Sequence, residues 1–315
     1  MALDASDLRV LYSSAETDIL RPLLHFPGAM NRRWERDIQN AATVKIPTRN
    51  HTVSAVAHTR GSDWGTDEDA ANIDLQDLTL NMSSKIRAKF SREDAAESPL
   101  DVLATLANEH AFAHAKRFNT LARGIVVAGA KAANKIDKGT SSNYIPASGA
   151  VAGTGDDLLT DGMHEAVIKL TTENVLAPGA NERSVTCFMP GYLAAVLRKK
   201  AVEDGWSDGI VDSALTSGNF AGGGRQPGHW FNFLGIPVIA TNEYSTEEVS
   251  SKDYAVIIFM TRNSTTYGAR PAVTQLFTPA TNPDGPNFAL RSLREAACRV
   301  TDDDQIVLLR VRQEA

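Results

Sequence analysis

The sequence is short of cysteine, of long apolar runs and of excess charge, and each shortage excludes something. Its two cysteines, Cys187 and Cys298, show no Cys-x-x-Cys spacing and make no disulfide framework, so reduced thiols are expected. Cys187 stands in an apolar run and reads as an inert core residue. The longest apolar stretch lies near Tyr254–Met260, far short of the roughly 20 residues that span a bilayer. The first residues, Met1-Ala-Leu-Asp-Ala-Ser-Asp7, are acidic and polar and do not form a signal peptide. The expectation is a soluble chain, made in a cytoplasm and not anchored to a membrane. A net charge of −6 gives no global drive onto nucleic acid and leaves only a local basic face for that role. With 22 Gly and 13 Pro in 315 residues the chain is neither collagen-like nor a low-complexity array. No internal repeat of solenoid period is present.

Catalytic signatures are equally scarce. There is no Gly-x-Ser-x-Gly elbow. The glycine-rich run Phe220–Gly228 lacks the Gly-Lys-[Ser/Thr] of a phosphate loop and reads as a surface loop. His110 and His114 stand at i and i+4 on a helix, a spacing zinc sites use, but Glu109 precedes the pair instead of following its first member, and no third ligand is identifiable. The alternative is a polar stripe on that helix. Asp302, Asp303 and Asp304 could hold a cation, and read more simply as a solvated turn. No catalytic residue, cofactor or metal is assigned.

What is present is an ordinary globular composition, 43% apolar and 22% charged, long enough for two structural units or one large one. Ala15–Leu24 reads as a short helix ended by Pro22, and Asn31–Gln39 as an arm. Val44–His58 and Ile73–Met82 are rich in β-branched and alternating apolar residues, with a slip at Gln76-Asp77 that a bulge would cause. Around the polar stretch between them they predict a long β-hairpin. Ser98 as N-cap, Pro99 at the first position and Asp101 in the first turn open a helix. Leu103, Ala107, Ala111, His114, Phe118, Leu121 and Ile125 carry it at helical spacing to about Ala128, some 45 Å. Further on come helices over Asp157–Val175 and Tyr192–Glu203 and strands over Ser184–Met189, Leu234–Thr241 (within Trp230–Asn242 and entered by a turn) and Tyr254–Thr261. Turns are expected at Asn282–Pro286 and Thr301–Asp304. The fold class is α+β, with arms that assemblies need more than enzymes do.

Two charge patterns stand out. From Gly61 to Ser84 there are six acids and no Lys or Arg, among them Asp63, Asp67, Glu68 and Asp69. From Lys116 to Lys138 there are six bases, among them Lys116, Arg117 and Arg123, against one acid. These are either two solvated faces or an acidic arm and the basic patch of a neighbouring subunit on which it docks. A third use for the basic stretch is packaged nucleic acid.

The ordered set of elements resembles the major capsid proteins of tailed bacteriophages, with the Hong Kong 97-like fold. Asn31-Arg-Arg-Trp-Glu-Arg-Asp-Ile38 followed by Ala42–Pro47 looks like that family's N-terminal arm entering its extended loop. Leu75–Phe90 and Ser98–Ala128 look like the loop's return and the spine helix, and Phe233–Asn242 is similar to a recurrent axial-domain segment. The resemblance implies an N-terminal arm (1–42), an extended loop (43–84), a peripheral domain with the spine helix (85–130), an axial domain (131–270) and a peripheral C-terminal return (271–315). It further implies hexamers and pentamers of this chain in an icosahedral virion shell around double-stranded DNA, assembled in a bacterial cytoplasm. A portal protein and decoration proteins are possible partners. The arm before Val44 is too short for a cleaved scaffolding extension, which implies a separate scaffolding protein. The loop has no Lys between Ile46 and Ser84, so no cross-link from its tip is expected. An encapsulin-type nanocompartment shell shares the fold, and the polar arm with no obvious cargo-docking helix weighs against it. A metal-dependent hydrolase is the remaining alternative.

Overall fold

The computed structural model describes residues 5–48, 74–90, 99–140, 143–145, 155–172, 185–203, 229–234, 236–241, 246–249, 251–277, 281–282 and 287–313. Its helices are α1 (Ala5–Leu23), α2 (His25–Ala29), α3 (Glu35–Asn40), α4 (Pro99–Gly129), α5 (Gly155–Thr172) and α6 (Gly191–Glu203). Its strands begin with β1 (Thr43–Thr48), β2 (Asp74–Phe90), β3 (Lys135–Lys138), β4 (Val185–Pro190), β5 (His229–Phe233) and β6 (Ile236–Thr241). They continue with β7 (Thr246–Glu248), β8 (Asp253–Thr261), β9 (Thr265–Ala269), β10 (Val273–Phe277), β11 (Phe288–Val300) and β12 (Ile306–Arg312).

Two sheets organise the chain. A seven-stranded sheet runs β3-β12-β8-β4-β6-β5, with β7 also on β8. Both faces of it are covered, which is why β8, β4 and β12 read as unbroken apolar runs instead of alternating ones. Ile257, Phe259, Val307 and Leu309 pack under Leu159, Met163 and Ala166 of α5 and Leu193 and Leu197 of α6. The alternate residues Val256, Ile258, Met260 and Leu308 pack against Phe118, Ala122 and Val126 of α4 and Phe26 and Met30. The second sheet has five strands, β1-β2-β11-β10 with β9 on β11. α4 and α1 lie on one of its faces, where Ser84, Leu290, Ser292 and Arg294 are buried. α4 therefore serves both sheets, and its 31 residues, about 46 Å, form the spine.

Several expectations are corrected. α1 begins ten residues before the expected Ala15 and continues past Pro22, because Tyr12, Glu16 and Leu20, at i, i+4 and i+8, form one buried stripe against the spine. The segment expected to be an arm is anchored: Met30 and Ile38 are fully buried, and Asn31 pairs its backbone with Thr265 and Tyr267. The pairing of β1 with β2 runs through Gln76 and Asp77 without interruption. The irregularity sits at Asn81, where Ala296 faces Met82 and Ala297 faces Leu80. There the Asn81 side chain replaces the missing ladder bonds, donating to the Cys298 carbonyl at 2.7 Å and accepting from its N–H at 3.0 Å. The expected boundary at 84 falls inside one unbroken strand, since β2 pairs with β1 over 74–79 and with β11 over 80–90. The C-terminal return, 271–315, is divided: β10 and β11 lie in the five-stranded sheet, while β12 sits between β3 and β8 in the other, because its Ile306, Val307, Leu308 and Leu309 are apolar on both faces.

Gly139 follows β3 at φ +109°, and a Cβ there would meet the Cβ of Arg312 at 2.7 Å and the Asn143 carbonyl oxygen at 3.0 Å. Gly139→Ala is expected to cost about 1–3 kcal/mol, read as a lower midpoint in urea unfolding.

Candidate functional site

The two histidines of the spine point inward, and neither lies on an exposed stripe. His110 is 5% exposed and His114 fully buried. The Nδ1 of His114 is 2.8 Å from the Ser84 hydroxyl on β2. Its Nε2 is 3.2 Å from the Ser292 hydroxyl on β11 and 3.3 Å from the carboxylate of Glu16 on α1. Glu16 also accepts from Ser292 at 3.2 Å and from the Arg294 Nε at 3.2 Å, and Arg294 donates to Thr17 at 3.0 Å. One turn earlier on the spine, the Tyr12 hydroxyl meets the His110 Nδ1. Four elements thus contribute to one buried polar network that fastens α1 onto the spine and the five-stranded sheet. Just beyond α1, Asn119 of the spine donates to the Leu23 carbonyl at 2.9 Å and accepts from the Phe26 N–H at 3.3 Å, holding the break between α1 and α2.

Burial sets the protonation of this network. It lowers the His114 pKa to about 3, assisted by the Arg294 cation and by His110. It lowers His110 as well and raises Tyr12. Ser84, His114 and Glu16 stand in the order of a nucleophile, base and acid, but a histidine held near 3 is a weak general base at neutral pH, and Ser84 is 4% exposed. The geometry suits a structural clasp. Both thiols are equally quiet: burial raises Cys187, and pushes Cys298 up to about 12.

The other expected site residues are scattered. Asp63, Asp67, Glu68 and Asp69 lie outside the described residues, as do Ser98 and the glycine-rich loop Gly218–Gly228. Lys116 and Arg117 are exposed on the spine, and the Arg117 Nε donates to the Ser83 carbonyl at 3.0 Å. Arg123 is 7% exposed and so is not part of the spine's surface charge. Lys131 is paired with Asp304 at 2.5 Å, and Lys138 with Glu165. Asp302, Asp303 and Asp304 do cluster, with Gln305 donating to Asp302 at 2.6 Å and burial raising the Asp302 pKa. Sequence reading missed a cleft of about 280 Å³ at the root of β1, lined by Trp34, Arg33, Ile46, Pro47, Asn263 and Asp302 among others.

A spine helix shared by two sheets, with a paired arm leaving one of them, defines the class: this is the α+β Hong Kong 97-like capsid fold. Solved structures bear this out. The capsid of Ralstonia phage GP4 aligns with a TM-score of 0.62 at 11% identity, over 87% of this chain and 84% of that one. The mature capsid of bacteriophage PhiM1 aligns at 0.58 and 15% identity, over 90% and 86%. The SrpI encapsulin from Synechococcus elongatus aligns at 0.52 and 9% identity, over 86% and 82%. No protein-family model matches the chain, and no curated protein matches it in sequence.

Proposed function

We propose that this chain is the major capsid subunit of a tailed phage, a non-enzymatic protein that builds an icosahedral virion shell from hexamers and pentamers of itself. The observation that carries the reading is the shared fold with phage capsids over more than four-fifths of both chains. The shell encloses double-stranded DNA held by non-specific contact. It assembles in the bacterial cytoplasm with a separate scaffolding protein and a portal protein, and accepts decoration proteins. In this reading the acidic stretch Asp63–Asp69 meets basic residues of a neighbouring subunit, with Lys116 and Arg117 at the margin of that contact. Many copies of a modest interface make such a shell durable.

One observation favours a second reading. α1 supplies a 19-residue N-terminal helix. A polar, arm-like N-terminus and the lack of an obvious cargo-docking helix weigh against an encapsulin-type compartment, and α1 replaces the first of these with a helix packed on the spine. Electron microscopy of the expressed chain, with light scattering on the same sample, tests both. Closed shells, rings or tubes are expected, and a monodisperse monomer that stays small with its scaffold present would count against any shell. Nuclease-protected DNA in particles from infected cells supports the phage capsid, while protein contents support the compartment.

A further inference from the structure

The cleft at the root of β1 has no part in the shell reading, and two of its walls carry groups that suit one kind of ligand. Four stretches of chain converge there: the turn before α3, β1, the stretch 263–266 and the turn 301–305 between β11 and β12. One wall is the Trp34 indole, half-buried and packed on Ile38 and Ile46. Another is the Asp302 carboxylate, also half-buried. Asp302 is fixed from several sides. Its N–H donates to the Ser264 carbonyl at 3.1 Å, and its carboxylate accepts from the Gln305 Nε2 at 2.6 Å and from the Asp304 N–H. The Thr261 hydroxyl donates to the Gln305 Oε1, which turns the amide nitrogen towards Asp302.

These partners are all neutral. Burial raises the Asp302 pKa, and the Asp304 and Asp303 carboxylates add to the rise. Lys131 pairs with Asp304, which does not line the cleft. Arg33 does line it, but its guanidinium lies 5.4 Å over the Trp34 ring, and among the described residues Asp302 has no ion pair. A half-buried carboxylate without a countercharge is a cost that a bound cation relieves. The two walls also select the cation. A carboxylate accepts two parallel N–H bonds from a guanidinium, and an indole face takes the same flat group by stacking. Arg33 shows that this indole does so. A compact ammonium ion has no plane to stack, and a metal ion gains nothing from the indole. The volume, about 280 Å³, is small for a ligand site and suits a single flat group with a short body. We infer that the cleft binds a guanidinium group, held by the Asp302 carboxylate and the Trp34 indole and carried by a free small molecule or by an arginine side chain of another protein chain. Its occupant ties β1, the base of the arm, to the turn that joins the two sheets.

The test is isothermal titration of the full chain with phenylguanidine and with phenylurea, its neutral isostere. Phenylguanidine is expected to bind at least about tenfold more tightly. Asp302→Asn keeps the size and a hydrogen-bond acceptor, and is expected to abolish that preference. Asp303→Asn, off the cleft, is expected to leave it intact. Trp34→Leu is expected to weaken phenylguanidine about threefold or more. Circular dichroism melts check that each variant folds, and because Trp34 packs in a core the decisive comparison is Asp302→Asn with Asp303→Asn. No binding by the wild type, or equal binding of the two probes, overturns the inference. So does an equal loss in both aspartate variants together with displacement by magnesium chloride, which would assign the cation to the acidic turn and not to the cleft. Binding that appears only in Arg49→Ala overturns it as well, since the chain would then fill the cleft with its own side chain. N-acetylarginine amide separates the two sources: binding comparable to phenylguanidine supports an arginine side chain, and binding of phenylguanidine alone supports a free small molecule. None of these readouts depends on particles, so failure here leaves the shell reading standing.

Discussion

Glu16→Ala is expected to destabilise the chain by about 3–5 kcal/mol, the cost of breaking a buried ion pair by removing one partner. Glu16 is fully buried and accepts from Arg294 and Ser292, with the His114 Nε2 at 3.3 Å. Its removal leaves the Arg294 cation with the Thr17 hydroxyl as its remaining named partner at that site. Water cannot replace the carboxylate without opening the seam between α1 and the spine. The loss should therefore appear twice: as a lower urea midpoint, and as early proteolytic cleavage within 5–23. Glu16→Gln keeps an acceptor of the same shape and should fall between the two. A shift under about 1 kcal/mol for Glu16→Ala would mean the network is worth no more than a surface pair.

Acid should loosen the same seam. His114 titrates at about 3 in place and near 6.5 once released. A lowered histidine pKa means that the released form binds protons more readily, so the clasp is at full strength above pH 6.5 and weakens as pH falls from there towards 3. The expected loss is about 2 kcal/mol at pH 5 and about 4 kcal/mol by pH 3. His110, lowered for the same reason, adds in the same direction. The charged and titratable groups facing the pair are Tyr12 and Glu16 of α1, Glu109 of the spine and Arg294 of β11. Melting temperature against pH, compared between the wild type and His114→Asn, measures this. The variant should lose most of the slope between pH 6.5 and 4, and an unchanged slope would place the acid sensitivity elsewhere.

Element types and order were legible because they depend on local patterns. Pro99 opens the spine helix, the apolar spacing carries it to Gly129, and the runs of β4, β8 and β12 signal strands buried on both faces. The clasp was hidden because its members are far apart in sequence: Glu16 meets Ser292 across 276 positions and His114 meets Ser84 across 30. A signal did exist. Glu16 interrupts the stripe of Tyr12 and Leu20, and His110 and His114 interrupt the alanine stripe of the spine, so two apolar faces each held polar groups in need of partners. Asn81 was hidden for another reason. A bulge closed by a side-chain amide leaves no trace in apolar alternation, whereas the slip at Gln76-Asp77 is visible there and is absorbed by a regular pairing. Arg123 was misread because a base at helical spacing looks the same whether its face is buried or exposed.

The position of β12 bears on when the subunit becomes complete. Residues 306–312 lie between β3 and β8, so the seven-stranded sheet lacks an inner strand until they leave the ribosome. Until then Ile136 of β3 has no neighbour on its ladder, and Ile257 and Phe259 of β8 face an empty lane. The spine and α1 can form early, but the body they brace closes last. β3 and β8 are thus joined only through a strand synthesised after both, so this sheet is completed out of chain order.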